Sequence, residues 1–306
     1  MDSKQEAKRQ YMTTAPVRGL VLRMAVPTII SMLITNIYNM ADTFFVGQLG
    51  TSATAAVGVV FPLMSVIQTF GFFFGHGSGN YISRAMGSQK MEDAEQMAVT
   101  GFGSSFLFGV ILMILGLLFQ DPLARLLGST DTIFPYAKEY LCVILLGAPF
   151  MASSLTLNNQ LRFQGSAFFG MIGITTGGIL NIFLDPLFIF VLDMGISGAA
   201  WATVISQMIS FLIMLMMTRA GGNIRIRLKK YSLKRSFWKE IVRGGTPSLC
   251  RQGLASVATI CLNLVAGPYG DAAIAAMSIV SRIMNFASSA LIGLGQGFQP
   301  VCGFNY

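Results

Sequence analysis

The sequence predicts an all-α polytopic membrane protein, a six-helix N-terminal lobe plus the first two helices of a second lobe that repeats it in parallel. Three observations carry this expectation. The 306-residue chain is 53% hydrophobic and only 11% charged, against about 25% charge in a soluble domain. Long apolar runs recur from end to end, each near the ~20 residues that cross a ~30 Å hydrocarbon layer. Finally, an offset of 220 residues lays one part of the chain on another. The runs do not alternate as the strands of a membrane barrel do, so the expected spans are helices.

Residues 1–19 form a basic segment ahead of the first span, with Lys4, Lys8, Arg9 and Arg18. Spans are expected at 20–46, 53–82, 96–119, 134–159, 167–191 and 195–218, which together make an N-lobe over 20–218. A basic linker over 219–243 follows, and 244–306 opens the second lobe with spans at 244–267 and 272–299. The first run is too long and too polar to be a cleavable signal, since it holds Asn36, Asn39 and Asp42 and no small-residue cleavage site follows it.

Charge orients the spans. Arg84 and Lys90 follow the second span, Arg162 follows the fourth, and the cluster RAGGNIRIRLKKYSLKRSFWKEIVR follows the sixth. The alternate connections hold chiefly Arg125 and Lys138, diluted by Asp121, Asp131 and Glu139. This is the positive-inside pattern of a multi-pass protein of the plasma membrane with a cytoplasmic N-terminus. The net charge of +8 thus reads as topology and contact with anionic lipid in the bilayer, with no nucleic-acid partner expected.

The repeat sets the architecture. It matches Arg23 to Arg243, Pro27 to Pro247, Gly47 to Gly267 and Gly50 to Gly270, and it lays GHG at 75–77 on GQG at 295–297, all without a gap. Six spans per copy is an even number, so both copies share one orientation, and a path for cargo is expected between the lobes. The chain stops two spans into the second copy, so about four more helices are expected to complete that copy.

Of thirteen acidic residues only Asp42 and Asp185 lie well inside an expected span. Asp42 falls roughly 6 Å below the outer end of its helix, Asp185 roughly 9 Å, and Thr203 on the next helix returns to roughly 10 Å. Asn181 shares a helix face with Asp185, as Tyr38 does with Asp42. Pro186 removes a backbone N–H beside the acid and loosens the helix there. Ionisable residues at such depth mark ion or substrate paths, and this oxygen set suits a proton or a hard cation such as Na⁺.

Other features have plainer readings. Cys142, Cys250, Cys261 and Cys302 lack metal-ligand or redox spacing and are expected as small packing residues. The single His76 cannot build a metal site, and no cofactor or metal motif is present. GHGSG lacks the strand and lysine of a phosphate loop and is expected to pack helices closely. Arg251 and Arg282 lie inside the last two spans and are candidates for a cavity between the lobes. No nucleophile–base pair points to an enzyme.

The stretches ADTFFVGQLG, GHGSGNYISRAMG, NIFLDPLFIF and GLGQGFQP together resemble the multidrug and toxic compound extrusion (MATE) family. The resemblance covers the chain from Pro16 onward. It implies a secondary transporter of twelve helices in two lobes, monomeric at full length, that exports small cationic or amphipathic drug-like compounds in exchange for H⁺ or Na⁺ by alternating access. It also implies a coupling site at Asp42, Asn181, Asp185 and Thr203, with Tyr38, Asn36 and Asn39 as supporting polar residues. The NorM-like branch places a glutamate in the seventh helix. TPSLCRQGLASVATICLNL has none, so the resemblance is to the DinF-like branch. Two alternatives stay open: a lipid-linked sugar flippase of the related superfamily, which the two arginines would suit, and a truncated, non-transporting membrane scaffold.

Overall fold

A computed structural model describes residues 3–266 and 271–306, with only part of the side chains between 256 and 285. The expected position of Arg282 falls among side chains outside that description. The chain is all-α: α1 (Ser3–Thr14), α2 (Val17–Gly47), α3 (Thr51–Gly87), α4 (Met91–Leu118), α5 (Gln120–Leu126), α6 (Phe134–Phe163), α7 (Ala167–Pro186), α8 (Gly195–Met217), α9 (Arg235–Ala266) and α10 (Asp271–Asn305). Six of these, α2, α3, α4, α6, α7 (with the turn after it) and α8, are long and apolar enough to cross a membrane. Their length follows from composition, because in hydrocarbon every backbone polar group must be satisfied within the helix.

The helices run up and down, so the connections fall on two faces. One face, here called the basic face, carries α1, residues 88–90, 164–166 and 218–234. The opposite face carries residues 48–50, 119–133 and 192–194. Large apolar side chains such as Phe44, Leu118 and Val191 are exposed, as a lipid-facing surface requires.

Helix α6 is the most buried of the six spans and packs against α3, α4, α7 and α8. Its apolar positions join two cores, one around Ile67, Ile144, Leu145 and Ile189, the other around Phe102, Leu157, Leu161 and Phe211. Two of its polar side chains bond across helices. Thr156 donates to Ser105 at 2.8 Å, and Gln160 donates to Ser78 at 2.9 Å and to the Ala98 carbonyl at 3.0 Å. Such bonds are the connections lipid favours, since an unpaired group has no water to turn to.

Helix α9 packs on α3, and α10 packs on α2. The approach at α3 needs the glycine of GHGSG: a Cβ at Gly77 would lie 2.3 Å from the Ile241 carbonyl oxygen. The four cysteines differ from the expectation. Cys142 is half-buried, whereas Cys250, Cys261 and Cys302 are exposed, on helices that cover only part of the first lobe.

A candidate coupling site and a polar latch

Helix α7 builds the first site. Its sequence AFFGMIGITTGGILNIFLDP carries glycines on the faces toward its neighbours, and Gly178 leaves room for the Tyr38 ring of α2, 3.0 Å from where a Cβ would stand. The helix ends at Pro186, and residues Leu187–Val191 take a wider π turn. Proline cannot donate to the carbonyl four residues back, and the loosened backbone re-forms its bonds at longer range, with Leu192 N–H reaching the Leu187 carbonyl at 2.9 Å. Gly198 of α8 packs against the backbone of this turn at Phe188.

The result places Asp185 fully buried, with Asn181 3% and Thr203 8% exposed. Asn181 Nδ2 donates to Asp185 Oδ1 at 3.1 Å and reaches Thr203 Oγ1 at 3.5 Å. Asp42 is near enough for its charge to act on Asp185. Among the described residues, Asp42 Oδ1, Asp185 Oδ2 and Asn181 Oδ1 are buried without a hydrogen-bond partner. Native structures leave few such atoms. Buried oxygens left without donors suit a proton or a cation.

The supporting residues divide. Tyr38 stands beside Asp42 and bonds to Gln207. Asn36 turns away and donates to Ser289 of α10 at 2.8 Å, and Asn39 lines the cavity described below. Sequence reasoning missed Tyr140 of α6, which is fully buried and close enough to both carboxylates to feel their charge. Tyrosine in an apolar run gives no signal of its own.

Between α2, α3, α6, α7, α8, α9 and α10 lies a cavity of about 320 Å³. Asn181 and Thr203 line it, but Asp42 and Asp185 do not, so the carboxylates sit one layer behind the wall. Arg251 lines it as well.

Toward the basic face the cavity ends at Arg162. The sequence placed this residue in a connection, yet it is 3% exposed at the end of α6. Its Nη2 donates to Asn159 Oδ1 at 2.7 Å and to His76 Nε2 at 3.0 Å, and its Nη1 donates to Gln296 Oε1. Because His76 Nε2 accepts, its other nitrogen is left to donate to Ser248 Oγ, 2.8 Å away. His76 and Gln296 are the pair that the 220-residue offset superposes. One arginine therefore ties α3 and α6 to both α9 and α10. Beyond it, on the basic face, Arg84 pairs with Glu240 at 2.5 Å.

Comparison with known proteins agrees with this architecture. The MatE family model matches residues 27–187 and 247–306. Multidrug export protein MepA of Staphylococcus haemolyticus is 28% identical over 298 residues, 97% of this chain and 66% of the relative. That of Staphylococcus aureus is 29% identical over 300 residues, with the same coverage of 97% and 66%. The chain thus spans just under two thirds of the length of the curated relatives it matches. A crystal structure of MATE in complex with MaD3S superposes with a TM-score of 0.92 at 31% identity, over 97% of this chain and 68% of that one. An outward-facing conformation of a multidrug resistance MATE family transporter of the MOP superfamily gives 0.89 at 30% identity, over 100% and 67%. The matched segments fall in both halves of the chain and include the helices that carry the buried acids and the latch. On that evidence the chain belongs to the MatE family, a family of transporters rather than enzymes.

Proposed function

We propose that the protein is a secondary active efflux transporter that exchanges small amphipathic, drug-like compounds for H⁺ or Na⁺ by alternating access. It works as a monomer, in the plasma membrane, with the basic face cytoplasmic. The observation that carries the reading is the set of unpartnered oxygens on Asp42, Asp185 and Asn181: Asn181 lines a cavity between the helices, and the two carboxylates do not reach its surface. An ion that enters this site changes its charge, and the neighbouring Tyr38 and Asn181 form the cavity wall, so occupancy of the site and the shape of the cavity are linked. The π turn after Pro186 supplies a helix end able to adjust. Energetically the cycle closes: one charge moved inward gains about 2.3 kcal/mol per 100 mV, and each pH unit adds about 1.4 kcal/mol.

The test is dye efflux from proteoliposomes containing the chain joined to the remaining third of a MepA relative, under a H⁺ or a Na⁺ gradient imposed separately. One gradient should drive export. Asp42→Asn and Asp185→Asn should each abolish it while leaving expression and melting temperature nearly unchanged, because an amide keeps the shape and cannot exchange a proton. Export at the parent rate by both variants would remove the coupling role of this site. The scaffold reading would gain if neither gradient drives export.

A further inference from the structure

We propose that the floor of the cavity binds the anionic headgroup of an amphipathic ligand, a carboxylate, sulfonate or phosphate, held by Arg162 and Arg251. The proposal rests on the efflux reading only in treating that ligand as cargo. It departs from the cationic preference that the family resemblance implies.

Arg162 is 3% exposed, and its partners Asn159, His76 and Gln296 are all neutral in the roles they play. Its Nε has no partner. Arg251 lines the same cavity and makes no ion pair among the described residues. Among the described residues, the acids that could offset these charges lie elsewhere. Glu240 is taken by Arg84. Asp185 stands about 27 Å of helix from Ala167 at the floor end of α7, and neither Asp185 nor Asp42 lines the cavity.

A buried cation costs several kcal/mol unless an anion accompanies it. Two guanidinium groups facing one chamber bounded by hydrocarbon add mutual repulsion to that cost. A ligand carrying a negative group offsets both, and the planar fork of arginine suits oxyanions with two or three oxygens. The remaining lining fits an amphiphile. Asn158, Gln68 and Thr28 offer neutral hydrogen bonds, while Phe72, Met151 and Ile174 offer an apolar wall. About 320 Å³ is at the small end of the range for drug-sized ligands. A cationic headgroup at the same floor would meet two like charges.

The test is equilibrium binding to the purified chain in detergent. Two fluorescent amphiphiles share one tail and differ only in headgroup, sulfonate against trimethylammonium. The sulfonate should bind at least about tenfold tighter. Arg251→Gln should weaken the sulfonate at least about fivefold and leave the ammonium unchanged or improved. Arg162→Lys, which keeps the charge and loses the fork, should also weaken the sulfonate. Should Arg162→Lys fail to fold, Arg251→Gln carries the test alone.

Nanodiscs of zwitterionic lipid, with and without phosphatidylglycerol, separate the sources of the headgroup. Displacement of the probe by phosphatidylglycerol identifies a lipid headgroup, and binding that persists identifies a free amphiphile; either supports the anion site. Equal or tighter binding of the ammonium probe, or an unchanged sulfonate affinity in Arg251→Gln, would overturn it. Binding needs no gradient, so sulfonate preference without export would sink the efflux reading alone, and export without headgroup preference would sink the anion site alone.

Discussion

Tyr140 is fully buried on α6, where the charges of both Asp42 and Asp185 reach it. Tyr140→Phe removes one hydroxyl and keeps the ring that packs among Ile144, Ile67 and their neighbours. Loss of a single hydrogen-bonding group corresponds to about 1 kcal/mol. Gradient-driven export should therefore fall about fivefold, with a melting temperature within about 3 °C of the parent. Unchanged export would separate Tyr140 from the coupling site. The acids themselves were legible in the sequence because a carboxylate inside an apolar run has few innocent explanations. Arg162 was not, since an arginine at the end of a span is also what topology demands. Only the fold shows that its guanidinium turns inward onto His76 and Gln296.

Helix α1 makes the clearest case at the level of elements. Its sequence, SKQEAKRQYMTT, is polar and gives no sign of a docking face. In the structure Met12 is 1% exposed, and Asn305 Nδ2 donates to its carbonyl at 3.1 Å. Lys8 donates to Ser166 at 2.5 Å and to Asn223 at 2.6 Å. The surface that receives α1 is assembled from residues 165–166, 222–223 and 305, far apart in the chain, and no local pattern reveals it. The long spans are different, because each announces itself by its own hydropathy. Burial pushes the Lys8 amine down from 10.5 to about 7. Undocked, the lysine stays protonated up to about 10.5; docked, it sheds its proton above about 7. Docking therefore strengthens as pH rises between those values and is constant below about 7. Fluorescence anisotropy of a label on Ser3→Cys, in a background without the native cysteines, should rise across that window, and Lys8→Met should flatten the curve. A parent curve that is flat or falling would take Lys8 out of the docking contact.

At the scale of the whole molecule, the described contacts that join α9 and α10 to the first lobe gather toward the basic face. They include the Arg162 latch, the Arg84–Glu240 pair, the Gly77–Ile241 approach and the packing of Gly297 on Ala25, while the Asn36–Ser289 bond joins α10 to α2 farther from that face. The cavity extends from the latch toward the level of Asn39 and Asn181. Thr35→Cys, in a cysteine-free background, should be labelled by a membrane-impermeant thiol reagent applied to the face opposite the basic one, and at least about tenfold more slowly from the basic face. Equal rates from both sides would place the barrier elsewhere. The even number of spans in the repeat is what leads the sequence to expect two like-oriented lobes. The latch was not legible there, because it joins residues up to 220 positions apart through hydrogen bonds from one arginine to neutral partners, which leave no pattern of opposite charges.

The chain holds two tryptophans, and their positions give the molecule a built-in optical probe. Trp238 of α9 stands edge-on to Phe74 of α3, ring centroids 6.5 Å apart, at the seam between the lobes. Trp201, partly buried, packs within the first lobe beside the core of Ile196 and Ala199. Parting of the seam would wet Trp238 and leave the surroundings of Trp201 unchanged, so the emission maximum of unlabelled protein reads lobe separation against an internal reference.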